Sequence, residues 1–233
     1  MGGLTELGLR LRSLASKAPH LSSFTRRCLE SMRWGGSATL MVIDAALTST
    51  GLSYFTAVVP RVALIKEELV DTGSLASLSD LATTDVTRLT RYWRLRRPWE
   101  VARGIARALL TFPGRDDRER LRSWASSAGL EVWRLDPVGS VKGVGLVTYQ
   151  YLRMMGGVDT TMPDRVVRNF LFRLSEGLEV RIPRRDIDFV RFVEALAAHI
   201  GIRPIEITWL AWLVDSEGER VLSTRYSRYL DLI

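Results

Sequence analysis

The chain of 233 residues is poor in the side chains that most often hold metal ions. It has one cysteine, Cys28, and two histidines, His20 and His199, which are far apart in the sequence. A single cysteine excludes an internal disulfide and any zinc or iron–sulfur site built from several cysteines. The apolar run around His199 predicts a core or helix-end residue. We therefore expect no iron–sulfur cluster and no histidine-based metal centre, which leaves the chemistry to carboxylates, hydroxyls or backbone dipoles.

Long apolar runs are also missing. No stretch approaches the roughly 20 consecutive apolar residues that a membrane-spanning helix needs. The N-terminus mixes apolar and basic residues, whereas a signal peptide has a continuous apolar segment. The sequence therefore predicts no membrane partner and a cytoplasmic protein, which would be associated with the nucleoid if the source is prokaryotic.

Lysine is scarce, and arginine supplies most of the positive charge. The only lysines are Lys17, Lys66 and Lys142, yet the net charge is +7. A basic balance is typical of nucleic-acid binding, because neutralising phosphates releases condensed counterions. Two other readings stay open, namely that the arginine excess reflects heat adaptation or that it reflects genome composition.

Helical periodicity dominates the rest of the sequence and predicts an all-α protein of roughly ten helices joined by short turns. Residues 37–50 begin with a serine cap and are apolar almost all round, which favours a buried central helix. Pro60 and Pro98 suit the first turns of two further helices. The only strand-like piece is residues 178–182, which is too short to found a sheet.

One segment combines two glycines with the start of a helix. Gly143 and Gly145 flank Val144, and a helix is predicted over residues 149–155. The glycines allow a tight turn, and free N–H groups at the helix start offer a seat for a phosphate oxygen. The alternative is a turn that only joins two helices.

A carboxylate follows this segment at the start of the next predicted helix. Pro163 disfavours helix at Met162, and Asp164 suits the N-cap of a helix that begins at Arg165. Asp164 would then lie at a helix mouth near the hairpin. A capping aspartate needs no catalytic role, so this pattern alone leaves both interpretations open.

Together, the hairpin, its helix, the turn Gly156-Gly157 and the pair Pro163-Asp164 resemble the helix-hairpin-helix-Gly/Pro-Asp superfamily of DNA glycosylases, which includes endonuclease III. The resemblance is best over residues 136–170 and looser over residues 78–110. It implies an all-α fold of two helical lobes with a cleft between them. The central lobe would be residues 35–158, with the helix-hairpin-helix motif at about 136–155. Residues 1–34 and 159–233 would form the second lobe.

The resemblance also implies roles for individual residues. Asp164 corresponds to the family's catalytic carboxylate, which stabilises the positively charged sugar and orients the attacking water. Phosphate and DNA contacts are expected from the hairpin and the residues beside Asp164, namely Lys142, Gly143, Val144, Gly145, Thr148, Arg165 and Arg168. A weak monovalent cation would be held by the backbone carbonyls of Gly139, Val141 and Val144.

Two departures from the family define the expected activity. Val147 lies where strand-cleaving members carry a lysine nucleophile, and valine cannot form a Schiff base. The family's four-cysteine cluster is absent. We therefore expect a monofunctional, monomeric glycosylase acting on double-stranded DNA without a cofactor other than the possible cation. The alternatives are a non-catalytic helix-hairpin-helix DNA-binding protein and, less favoured, a lyase that uses Lys142.

A glycosylase must hold its flipped base in a pocket. If the resemblance holds, the pocket lies beside the end of the first buried helix, where the candidates are Thr50 and Tyr54, with Ser49, Ser53 and Phe55 near the cleft. Asp44 is a further candidate, either as a second acid or paired with an arginine. The arginines of residues 88–97 form either a phosphate-tracking face or a solvated helix surface. The sequence does not identify the base.

Overall fold

The computed structural model describes residues 2–215 and 229–233. Within these ranges the regular structure is helical and no β-strand occurs, which confirms the all-α prediction. Residues 178–182 form a loop, and none of the described helices is long and apolar enough to cross a membrane. The α-helices are α1 (Gly2–Ala15), α2 (Leu21–Leu29), α3 (Ala38–Thr48), α4 (Val59–Ile65), α5 (Leu78–Thr83), α6 (Val86–Leu89), α7 (Arg96–Leu109), α8 (Asp117–Ser127), α9 (Leu146–Met155), α10 (Arg165–Leu174), α11 (Asp186–Ile200) and α12 (Pro204–Asp215).

Helix α3 is the central element of the core. Every residue from Ala38 to Leu47 is buried, and the helix packs against α7 and α9. Its N-cap is Ser37, whose hydroxyl oxygen accepts the N–H of Leu40 at 3.3 Å. The apolar run and the serine cap therefore specify a buried central helix, as the sequence predicts.

Wider helical turns flank α4 on both sides. Residues Tyr54–Val58 and Lys66–Val70 form π-helical turns, in which the N–H of Val58 donates to the carbonyl of Ser53 at 3.2 Å. Such turns are rare and occur often at functional sites. Here the first one begins at Tyr54, which lines the cleft described below.

The arm before the hairpin differs from the predicted helix-hairpin-helix motif. Residues 130–143 form consecutive turns, and only the second arm, α9, is a regular α-helix. Asp136 organises these turns, since its carboxylate accepts the N–H of Val138 at 2.8 Å and the indole N–H of Trp124 at 2.9 Å. Pro137 lacks an N–H and restricts the backbone, which opposes a continuous helix here.

The helices near the two ends of the chain pack on each other. Helix α12 contacts α2 and α10, and α1 contacts α11. The guanidinium of Arg27 donates to the carbonyls of Leu230 and Ile233, and the Trp34 N–H donates to Leu232. Helix α2 was not predicted from the sequence. The division into two lobes stays a prediction, since the buried apolar residues form one continuous cluster.

Candidate functional site

A cleft of about 1100 Å³ brings together segments that are distant in the sequence. Its walls come from the loop after α3, the start of α7, the hairpin with the start of α9, the start of α10 and the end of α12. The predicted site residues that line it are Thr50, Tyr54, Gly143, Gly145, Thr148, Asp164 and Arg165. Val147, at the position of the family's lysine, also lines the cleft.

Asp164 is the N-cap of α10 and is only partly exposed to the cleft. One carboxylate oxygen accepts the N–H of Val167 at 2.7 Å, and the other accepts the indole N–H of Trp212 at 2.9 Å. Burial raises the pKa of Asp164 to about 6, and the hydrogen bonds and the nearby Arg168 limit that rise. The carboxylate is therefore mostly ionised at neutral pH.

The two hairpin glycines differ in backbone conformation and in the space around them. Gly143 has φ of 98°, and a Cβ there would lie 2.8 Å from a methyl carbon of Val101, so no larger residue fits without strain. Gly145 is the N-cap of α9 with φ of −107°, and a Cβ there would meet no atom within 4 Å. The geometry thus requires glycine at 143 for the fold and leaves open space in front of Gly145.

The hairpin N–H groups are not all free to bind an anion. The N–H of Val144 donates to the carbonyl of Val141 at 3.0 Å and is thus paired within the hairpin, while the DNA contact of Val144 stays a prediction. The N–H groups of Gly145 and of the first turn of α9 have no acceptor among the described residues. These groups, at the positive end of the helix dipole, form the part of the hairpin suited to a phosphate.

The carbonyls of Gly139, Val141 and Val144 lie along the same turns. That of Val141 already accepts one hydrogen bond, which leaves one lone pair for a cation. The monovalent cation stays a prediction.

Three positively charged side chains are exposed beside the hairpin. Lys142 lies on the hairpin, and Arg97 and Arg165 line the cleft. None of the three side chains forms an ion pair or a hydrogen bond in the part of the chain that the structure describes. Their positive charge is therefore open to an anionic ligand.

Arg168 does not belong to this group. Its guanidinium donates to the carbonyls of Pro163 and Pro183, both at 3.1 Å, and to the carboxylate of Asp186 at 2.6 Å. It also lies over the ring of Phe189 at 4.2 Å. Because these contacts use the guanidinium edges, the predicted phosphate contact of Arg168 is corrected to a structural brace next to Asp164.

Asp44 is in the core and does not line the cleft, so its assignment to the base pocket is also wrong. The side chain is fully buried and forms an ion pair with Arg33 at 3.2 Å. It accepts the indole N–H of Trp34 at 2.7 Å and the hydroxyl of Thr48 at 3.2 Å. The arginine pairing, which was the other interpretation of Asp44, is the one observed.

Tyr54 separates this buried ion pair from the cleft. Its hydroxyl donates to Asp44 at 3.1 Å, and the residue, although buried, belongs to the cleft wall. The hydroxyl of Thr50 donates to the carbonyl of Leu47 at 2.7 Å, so it too is occupied within the protein. Phe55 is buried and is not among the cleft residues, whereas Ser49 and Ser53 line the cleft.

Trp212 is the main site residue that sequence reasoning missed. Its ring packs edge-on against Tyr54 with 5.3 Å between ring centroids, and its indole N–H reaches Asp164. Asp215, one turn later, lines the cleft and pairs with Arg173. Trp212 lies 48 residues after Asp164, and no local spacing connects the two, so only the packing of α12 against α10 reveals the contact.

Comparisons with protein-family models, curated proteins and solved structures give no match for this chain. Within the described residues no group of three or more histidine, cysteine, aspartate or glutamate side chains could hold a metal ion.

Proposed function

We propose that this protein is a monofunctional DNA glycosylase, which hydrolyses the N-glycosidic bond of a damaged or mispaired base in double-stranded DNA. The observation that carries the proposal is the shared cleft of the hairpin and Asp164. Gly145, which precedes free N–H groups suited to a phosphate, and the partly buried Asp164 carboxylate line the same cavity. A phosphate held at the hairpin would bring the sugar of a nearby nucleotide into reach of the carboxylate.

The proposed reaction uses the ionised form of Asp164. The bond between C1′ of the sugar and the base nitrogen breaks, and the electron pair leaves with the base. Positive charge then builds on the sugar, where a fixed anion stabilises it. A water molecule adds to C1′ and gives one proton to Asp164 or to solvent, while the departing base takes up a proton.

The cleft also offers space for a flipped base. Its volume of about 1100 Å³ is open rather than filled by side chains, and its wall includes Tyr54 and Trp212, whose rings are largely buried. An open cleft that reaches Asp164 favours an enzyme over a non-catalytic DNA-binding protein. Because Val147 lies at the position of the family's lysine nucleophile, water is the proposed nucleophile and strand cleavage is not expected.

The test is base release from a panel of duplexes, each carrying one lesion or mismatch, incubated with the protein and analysed with and without alkali. Strand breaks that form only after alkali would establish base removal without lyase activity and would identify the substrate. The matched control is Asp164→Asn. Salt-sensitive DNA binding without release from any duplex would instead support the non-catalytic alternative.

A further inference from the structure

Three arginines lie together in the loop between α10 and α11, at positions 181, 184 and 185. We call residues 181–185 the arginine loop. The three side chains are exposed, and none forms an ion pair or a hydrogen bond within residues 2–215 and 229–233. Several exposed arginines elsewhere are paired with carboxylates, for example Arg10 with Glu6 at 3.3 Å and Arg115 with Glu119 at 3.4 Å. The arginine loop therefore carries a local positive charge that the protein does not neutralise.

The nearest carboxylate in the sequence has another partner. Asp186 follows the loop directly, and its side chain accepts from Arg168 at 2.6 Å. Asp188, half a turn further along α11, is exposed and forms no ion pair with the loop. Since Arg168 occupies Asp186, the charges of Arg184 and Arg185 stay uncompensated.

The loop is also fixed in position next to the candidate catalytic residue. Ile182 is buried, and the carbonyl of Pro183 accepts from Arg168 at 3.1 Å. The same guanidinium donates to the carbonyl of Pro163, the residue before Asp164, at 3.1 Å. The Arg168 side chain thus connects the arginine loop to the start of α10. Asp186, the residue after the loop, lines the cleft.

We propose that the arginine loop is a second phosphate-contacting surface for duplex DNA, separate from the hairpin. This inference rests on the proposed function, because it takes DNA as the ligand of the cleft. Guanidinium groups bind phosphate oxygens in a bidentate manner, and contacts of this kind position a duplex without reading its sequence. The hairpin would hold one stretch of backbone and the arginine loop another, with Asp164 fixed relative to both.

The experiment compares two double variants with the same change in charge. The test variant is Arg184→Gln with Arg185→Gln. The control is Lys17→Gln with Arg26→Gln, whose side chains are exposed, lie outside the cleft and have no ion pair with any residue that the structure describes. The dissociation constant for an undamaged duplex is measured between about 50 and 200 mM salt. Each lost phosphate contact should reduce the magnitude of the log–log salt slope by about 0.9.

We expect the test variant to lose about two units of this slope and to bind about 10-fold or more weakly at low salt, since two contacts are removed. The control should change by less than half as much. Equal changes in both variants would overturn the assignment of the loop while leaving DNA binding by the protein intact. A native chain without salt-sensitive DNA binding would overturn the proposed function together with the loop. Thermal unfolding of both variants checks that the fold is kept.

Discussion

At the scale of single residues, Asp164 has a structural role as a helix cap and a proposed role in the reaction. It caps α10 through the N–H of Val167 and also holds the indole N–H of Trp212. A side chain that only capped the helix would gain little from burial, because burial raises its pKa to about 6 and so disfavours the anion. A partly desolvated anion at a cleft is the arrangement expected of a group that stabilises a developing positive charge.

Replacing Asp164 by asparagine separates these two roles. Asparagine keeps one oxygen to cap α10, but its amide nitrogen cannot accept the indole N–H of Trp212, so the free energy of unfolding should fall by about 1–3 kcal/mol. Base release should fall by at least ~100-fold, because the negative charge is lost. Single-turnover base release and denaturant unfolding check the two expectations. Full activity in this variant would remove Asp164 from the reaction.

We expect Trp212 to position the Asp164 carboxylate, and the variant Trp212→Phe tests this role. Trp212→Phe keeps an aromatic ring against Tyr54 but removes the donor to the carboxylate. That hydrogen bond lowers the pKa of Asp164, so its loss should raise the pKa above about 6 and move the acid limb of the pH–rate profile to higher pH. If Trp212 only filled the core, the rate could fall but the limb would stay at the same pH.

Residue-scale features were unequally predictable from the sequence. The N-cap position of Asp164 could be found because a proline, a capping residue and an amphipathic helix follow one another, whereas its catalytic role comes only from the family resemblance. Trp212 could not, since its role depends on how α12 packs on α10. Asp44 and Arg168 illustrate the same limit, because the sequence shows a charge but not the partner that the fold gives it.

At the scale of elements, the hairpin and α9 offer a contrast between two glycines. Gly145 has negative φ, and a Cβ added there would face open space. Gly143 has positive φ, and a Cβ added there would touch Val101. Gly145→Leu should therefore fold normally and bind duplexes of any sequence about 10-fold more weakly, since its side chain blocks the free N–H groups. The measurement is the dissociation constant for two duplexes of unrelated sequence.

Gly143→Ala is the companion variant. Its strained backbone and the contact with Val101 should lower the free energy of unfolding by about 1–3 kcal/mol. Unchanged DNA affinity in Gly145→Leu would return the hairpin to a purely structural role, whatever the stability of the Gly143 variant.

Most elements followed from local pattern, and the exceptions have physical reasons. Ser37 caps α3 as expected, because capping is a short-range interaction, and Asp85 caps α6 in the same way. The first arm of the hairpin consists of turns, because Asp136 and Pro137 stabilise turns in competition with helix. The π-helical turns around α4 have no recognised sequence signal and appear only in the packed structure.

At the scale of the whole molecule, the raised pKa of Asp164 links folding to pH. The ordinary value is 3.8, and the folded value is about 6, so the folded chain holds this proton more tightly than the unfolded chain. Ionisation of Asp164 should therefore lower the free energy of unfolding as the pH rises from about 4 to about 6. Asp164→Asn should remove this component, which urea unfolding at a series of pH values would detect. The same slope in both proteins would show that Asp164 does not contribute it.

The buried pair of Arg33 and Asp44 has a consequence for how this protein can change over generations. Losing either partner alone would leave a charge stranded in the core, at a cost of about 3–5 kcal/mol, which is a large part of the stability of an ordinary domain. During evolution, the ion pair can therefore be replaced only when both residues change together. In any set of descendants, the two positions should drift as a pair or stay unchanged, whereas the surface arginines remain free to vary one at a time.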